Sequence, residues 1–264
     1  MLLKKLIIFT DFTEASGIAA EHCFQLASLC NSQVMALHVV SENEDLDWAE
    51  KKCVDQIKKI KNYDLNVPFI PLASKLNLFQ GINKWLEEQG ADLTFMATHG
   101  KKDIQFLTGS LALKLIFNAE SPTIVVQHKT PLNPYRHILL PVFSSQLQMQ
   151  FPAEVLQAVG QLFNSKLTLL APLAKDEKEK TEIQKTVKWL EEILDKSFSA
   201  ITVKESNQRE KQLSNAVKTA IDEENIDMIA VLIGAKHHRK ESEKNKKFIQ
   251  SVITNDKNLP VMCL

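Results

Sequence analysis

The chain has 264 residues, 44% of them hydrophobic and 24% charged, and its 32 basic and 32 acidic side chains cancel. That length admits one large domain or two ordinary ones, and the apolar share fills a core, which excludes an intrinsically disordered chain. A neutral balance gives no prior for nucleic acid or a membrane surface as partner. The first residues, MLLKKLIIFTDF, lack the longer apolar core and small-residue site of a secretory signal. No stretch reaches the roughly 20 apolar residues that span a bilayer. Cys23, Cys30, Cys53 and Cys263 form no C-x-x-C pair and read as reduced, small core residues. The expectation is a cytoplasmic protein with neither nucleic acid nor membrane as partner.

In chain order, Lys5–Thr10 is a short apolar, β-branched run, the signature of a strand covered on both faces in a parallel sheet. Ala19, Cys23, Leu26, Ala27 and Cys30 share one helix face. A second strand follows over Gln33–Val40 and a helix over Trp48–Ile60. A third strand lies over Pro68–Ala73 and a helix over Leu78–Glu88. A fourth strand, Asp92–Thr98, leads through a glycine-bearing loop to a helix over Leu111–Phe117 and a last strand over Pro122–Gln127. Strictly alternating strands and helices predict a parallel sheet with helices on both sides.

The second half repeats this order. RHILLPVFSS (Arg136–Ser145) matches KKLIIFTDFT (Lys4–Thr13), SKLTLLAP (Ser165–Pro172) matches SQVMALHV, NIDMIAVLIGA (Asn225–Ala235) matches GADLTFMATHG, and NLPVMCL (Asn258–Leu264) matches SPTIVVQ. The offset stays between about 132 and 138 residues, which marks an internal duplication. HKTPLNPY (His128–Tyr135) breaks both periodicities and forms the boundary. The fold class expected is therefore α/β: two tandem, doubly wound, Rossmann-like units of five parallel strands, over residues 1–130 and 136–264, packed as a pseudo-dimer. In such a unit ligands bind beyond the carboxyl ends of the strands, where strand order reverses. Asp11 and the loop after Thr98 both fall there.

KKLIIFTDFTEAS, LHVV and above all MATHGKKDIQFLTGSLALKLIFNAESPTIVVQ resemble the universal stress protein family, whose nucleotide loop has this glycine, spacer, Gly-Ser, helix and strand layout. The resemblance covers the chain as two tandem units, strong in the first and faint in the second. It implies a regulatory or binding protein of the stress response. In the members that bind ATP, the acid after the first strand and the end of the second hold adenosine, while the glycine loop and its serine hold phosphates. Carried over, these positions are Asp11 and Val39, then Ala97, Gly100, Gly109 and Ser110; Thr10, Thr98 and His99 complete the candidate set. The implied cofactor is ATP or another adenine nucleotide, with magnesium only as its companion. An unidentified protein partner is also implied. The sequence departs from the family motif at three points: alanine stands at 97 for the first loop glycine, eight residues rather than nine separate Gly100 from Gly109, and Asp103 lies on the phosphate path.

Physically, Gly109-Ser110 opening a helix offers backbone N–H groups and a favourable partial charge to an anion, and Lys101 and Lys102 could face a polyphosphate. The plain alternative is a turn in which Ser110 only caps a helix. Asp11 likewise either faces the crevice or caps the first helix, a task open also to Thr13. In the second unit Phe143 replaces Asp11, and the loop Ile233–Phe248 keeps Gly234 but no Gly-Ser, so a lost site is expected. Its His237, His238 and lysines read as a solvated loop rather than a metal or nucleic-acid site. No G-x-S-x-G, H-E-x-x-H or Walker motif is present, and His38 reads as a packed core residue. Three readings stay open: a nucleotide-responsive binding protein, an interaction or scaffold module without nucleotide, and a weak ATP hydrolase.

Both units end in a short apolar strand, TIVVQ and PVMCL, and an unpaired edge of that kind invites pairing. The pseudo-dimer expectation joins these two edges, and remaining apolar surface would allow a homodimer of whole chains. Residues 1–130 expressed alone should then pair with themselves. Sedimentation equilibrium showing a soluble monomer at every concentration would exclude this.

Overall fold

The computed structural model describes residues 3–41, 43–60, 66–75, 81–98, 115–117, 121–144, 151–233 and 239–264. The chain divides into two compact units, Met1–Leu132 and Asn133–Leu264.

In the first unit the order is β1 (Lys5–Phe9), α1 (Glu14–Cys30), β2 (Gln33–Val39), α2 (Leu46–Ile57), β3 (Phe69–Ser74), α3 (Gly81–Gln89), β4 (Leu93–Thr98) and β5 (Thr123–Gln127); residues 115–117 are helical. The strands lie in the order β3-β2-β1-β4-β5, every pair parallel. Leu6, Ile7 and Ile8 of the central β1 are wholly buried, which is why the strand reads as an unbroken apolar run. The outer strand β3 is only half-buried and tolerates Pro71, whose missing N–H an edge position can spare. Thr13 caps α1, its hydroxyl accepting from Ser16 N–H at 3.3 Å. Asp45 caps α2, accepting from Trp48 N–H at 2.8 Å. That cap starts the helix two residues before the apolar pattern does.

The second unit runs β6 (His137–Pro141), α4 (Ala153–Leu162), β7 (Lys166–Leu173), α5 (Glu177–Leu194), β8 (Ala200–Arg209), α6 (Leu213–Glu223), β9 (Met228–Val231), α7 (Arg239–Ile253) and β10 (Val261–Cys263). Its strand order, β8-β7-β6-β9-β10, again all parallel, repeats that of the first unit. In α4, Gly160 lies where an added Cβ would come within 2.7 Å of the Phe198 ring and the Ser197 carbonyl, so no side chain fits.

The duplication extends to single hydrogen bonds. Asn31 and Asn164 each follow a helix in the left-handed conformation, at φ 52° and 48°. The next residue, Ser32 or Ser165, donates its hydroxyl to the carbonyl of Leu3 or Tyr135 just ahead of the central strand. Asp92 Oδ2 accepts from the N–H groups of Lys4 and Lys5 at 2.7 and 2.8 Å, and Asp227 Oδ2 accepts from His137 N–H at 3.0 Å. In both units an aspartate ahead of the fourth strand thus satisfies the start of the first.

Cys23, Cys30, Cys53 and Cys263 are free and buried. His22 of α1 is fully buried, and burial lowers its pKa from 6.5 to about 4. Above pH 6.5 the imidazole is neutral in both folded and unfolded chains and adds no pH dependence. Between 6.5 and about 4 only the unfolded chain takes up the proton, so stability falls as the pH falls, by about 3 kcal/mol in all. His22→Met should flatten this part of the wild-type curve; equal slopes for both proteins in urea titrations over that window would show that His22 does not carry the effect.

Candidate functional site

The carboxyl ends of β1, β2 and β4 meet at one edge of the first sheet, since β1 pairs in parallel with β2 on one side and β4 on the other, Ile8 lying opposite Ala36 and Phe95. Sequence order therefore reverses across β1, the geometry that opens a crevice. Of the candidate residues, Thr10, Asp11, Val39, Ala97 and Thr98 stand at this edge. His99, Gly100, Gly109 and Ser110 lie outside the described residues, as do Lys101, Lys102 and Asp103.

The turn from β1 into α1 is heavily bonded. Thr10 Oγ1 donates to Gln56 Oε1, and it accepts from Phe12 N–H at 3.0 Å and meets Ser16 Oγ at 3.2 Å. The one proton of the Thr10 hydroxyl thus goes to Gln56 and one lone pair to the Phe12 N–H. Asp11 Oδ1 accepts from Thr13 N–H at 3.1 Å and from Thr13 Oγ1 at 2.6 Å. Asp11 therefore supports the cap, and Thr13 itself makes it. Between them Phe12 adopts φ 65°, a conformation rare and strained for a bulky side chain.

Packing holds Phe12 there. Its ring stacks on His38, centroids 4.1 Å apart, and meets the Trp48 ring edge-on at 6.0 Å. Lys52 Nζ lies 5.2 Å from the Phe12 centroid and 4.3 Å from that of Trp48, within cation–π range of both. His38 is buried, as its sequence context suggests. Nδ1 donates to the Thr10 carbonyl at 2.8 Å and Nε2 lies 3.1 Å from Glu44 Oε1, while Glu44 Oε2 accepts from Ser41 N–H. Sequence reasoning missed Phe12, Trp48, Lys52 and Gln56. The available signal was the spacing of Trp48, Lys52 and Gln56, which recur every fourth residue and so share one face of α2. A cavity of about 770 Å³ borders this face, lined among others by Phe12, Thr13, Lys52, Gln56, Lys59 and Lys129.

At the end of β4, Ala97 and Thr98 are buried. Thr98 Oγ1 has no hydrogen-bond partner among the described residues. In the second unit the corresponding edge is closed differently. Val142 takes the place of Thr10, and Phe143, in the place of Asp11, packs edge-on against Phe248 of α7 at 5.0 Å. Ser144 donates both N–H and hydroxyl to Glu210 Oε2, at 3.0 and 2.8 Å. A carboxylate and a phenyl pair thus occupy this edge. Gly234, His237 and His238 lie outside the described residues. Among the described residues no group of three or more metal-ligating side chains occurs, and no helix is long and apolar enough to cross a membrane.

No protein-family model matches the chain. Two curated universal stress proteins of Methanocaldococcus jannaschii are similar to it. One is 25% identical over 158 residues, 49% of this chain and 98% of the relative; the other is 26% identical over 141 residues, 48% of this chain and 83% of the relative. Relatives that are nearly whole thus span about half of this chain. Over its full length the chain superposes on a universal stress protein structure from Archaeoglobus fulgidus with a TM-score of 0.63, at 12% identity, covering 100% of this chain and 98% of that one. A Pseudomonas aeruginosa protein of unknown function superposes at 0.61, again with 12% identity, covering 99% of this chain and 92% of that one. Fold and repeat together define a doubly wound α/β protein built from two tandem units. The sequence relatives narrow the class further: over about half its length the chain is similar to curated members of the universal stress protein family.

The buried hydroxyl of Thr98 generates a test. An isosteric Thr98→Val replaces a desolvated group that is unpaired among the described residues by a methyl and should stabilise the ligand-free protein by about 1 kcal/mol. A lower melting temperature for Thr98→Val would mean that the hydroxyl has a partner within the fold.

Proposed function

We propose that this stress-response protein binds one adenine nucleotide per chain, in its first unit, between the β1–α1 turn and the segment that follows β4. The observation that carries this reading is the contrast between two otherwise repeated sheet edges. The first presents Asp11, Val39 and the buried hydroxyl of Thr98, which has no partner among the described residues, at the switch point; the second is filled by Phe143 against Phe248 and carries Glu210. A phosphate would meet a carboxylate in the second unit. In the first, the Gly109-Ser110 pair of the sequence would supply backbone N–H groups and a hydroxyl, the chemistry that phosphates need. The base would sit against the end of β2 at Val39, the sugar near Asp11, and the phosphates along the loop of His99, Gly100, Gly109 and Ser110. Magnesium would come only with the nucleotide.

Binding rather than turnover is the activity proposed. Hydrolysis needs a group that orients water at the γ-phosphate, and the known motifs that supply one are missing from the sequence. The output would be an altered surface offered to a protein partner.

Calorimetric titration of the full chain with ATP should give a stoichiometry of one. Gly109→Val should abolish the heat of binding, since a β-branched side chain blocks the phosphate path and resists positive φ, whereas Ser110→Ala should weaken binding by about 1 kcal/mol. Two equivalent sites, or wild-type affinity in Gly109→Val, would overturn the assignment.

A further inference from the structure

We propose that Gln56 is a positioning residue of the candidate nucleotide site: from α2 it locks the β1–α1 turn in the conformation that presents Asp11. The proposal rests on the nucleotide reading above. Asp11 lies between two posts, Thr10 and Thr13, and both are bound to the Gln56 carboxamide. Oε1 accepts from the Thr10 hydroxyl, and Nε2 donates to the Thr13 carbonyl at 2.9 Å and to Ser16 Oγ at 3.1 Å. Both sides of the amide are used, so no other side chain of similar length replaces it: glutamate lacks the donors, leucine lacks everything, and lysine cannot accept.

A turn of this kind needs such a device. Phe12 sits at φ 65° between the two posts, a conformation that persists only where its surroundings over-determine it. The same face of α2 supplies the surroundings twice over. Trp48 and Lys52 cover the Phe12 ring, and Gln56, one turn further on, binds the backbone and hydroxyls on either side. The adjacent row of that helix, Ala49, Cys53 and Ile57, is buried in the core, so the helix that positions the turn is itself anchored. The second unit has Val142 in place of Thr10 and therefore lacks the hydroxyl to which such an amide would bind.

Preorganisation has a kinetic signature that separates it from direct contact. If only a fraction of molecules holds the competent turn, apparent affinity falls by that fraction, through slower association, while dissociation of the bound nucleotide is unchanged. The experiment uses full-length wild type, Gln56→Leu and Gln56→Glu, with Thr10→Val as a second way to cut the network should Gln56→Leu fail to fold. Amide hydrogen exchange is followed at residues 12–17, and stopped-flow binding is measured with a ribose-labelled fluorescent ATP. Gln56→Leu should exchange about tenfold faster at these amides and associate about tenfold more slowly, with an unaltered dissociation rate. Gln56→Glu, which keeps the Thr10 acceptor, should fall between. Wild-type exchange and association in Gln56→Leu would overturn the proposal, as would a defect confined to faster dissociation. If wild type binds no ATP, the nucleotide reading fails and exchange alone decides: acceleration upholds Gln56 as the lock of the turn, and its absence removes it.

Discussion

A strand buried on both faces cannot leave a backbone group unpaired at its ends, and this constraint on β1 and β6 organises each unit. Along their length the neighbouring strands satisfy them. At their starts, where the chain enters the sheet from below, the solution comes from side chains: Asp92 and Asp227 accept the first N–H groups, and Ser32 and Ser165 bond the carbonyl ahead of them. These bonds fix where the central strand begins relative to the fourth strand and to the end of the first helix. Register along the whole parallel sheet follows, and so does the level at which β1, β2 and β4 end. The candidate edge of each unit is thereby set from the opposite end of its strands.

At that candidate edge the two units part company. The start of the central strand was retained in both copies down to individual bonds, whereas its end became hydroxyl-rich in one and aromatic in the other. Val142, Phe143 and the Ser144–Glu210 bond give the second unit a closed edge made from its own side chains. The first keeps Thr98, whose hydroxyl has no partner among the described residues, and Phe12, whose backbone is strained. Strain and unpaired polar atoms concentrate where a fold serves something other than its own stability, and here they separate the two copies more sharply than their strand patterns do.

The parallel sheets were readable in the sequence because their central strands are apolar without interruption: KLIIF, QVMALHV and HILLP can lie only between covering layers. β8 was expected only as one of the five strands of the repeat, without a span of its own, for the converse reason. AITVKESNQR is an edge strand with alternate residues exposed, and its lysine, glutamate and arginine serve to keep a long edge from pairing. Asp11 and Val39 could be placed at the sheet edge by counting from the strands. The hold of α2 on the turn could not, since it depends on a tertiary approach of Gln56 to Thr10 that no local spacing specifies. Phe12 was hidden in another way: an aromatic residue is the last choice for a left-handed turn position, and only its neighbours His38, Trp48 and Lys52 make it tenable.

The four buried cysteines have a chemical consequence. Burial pushes the Cys53 thiol up to about 12 and raises those of Cys23, Cys30 and Cys263 as well. Only the thiolate attacks peroxides and alkylating reagents readily, and in the folded protein at neutral pH almost none exists. The thiols are therefore silent reporters. They remain reduced while the units stay closed, and the rate at which a thiol reagent consumes them measures how often each unit opens, with Cys263 reporting on the second unit and the other three on the first.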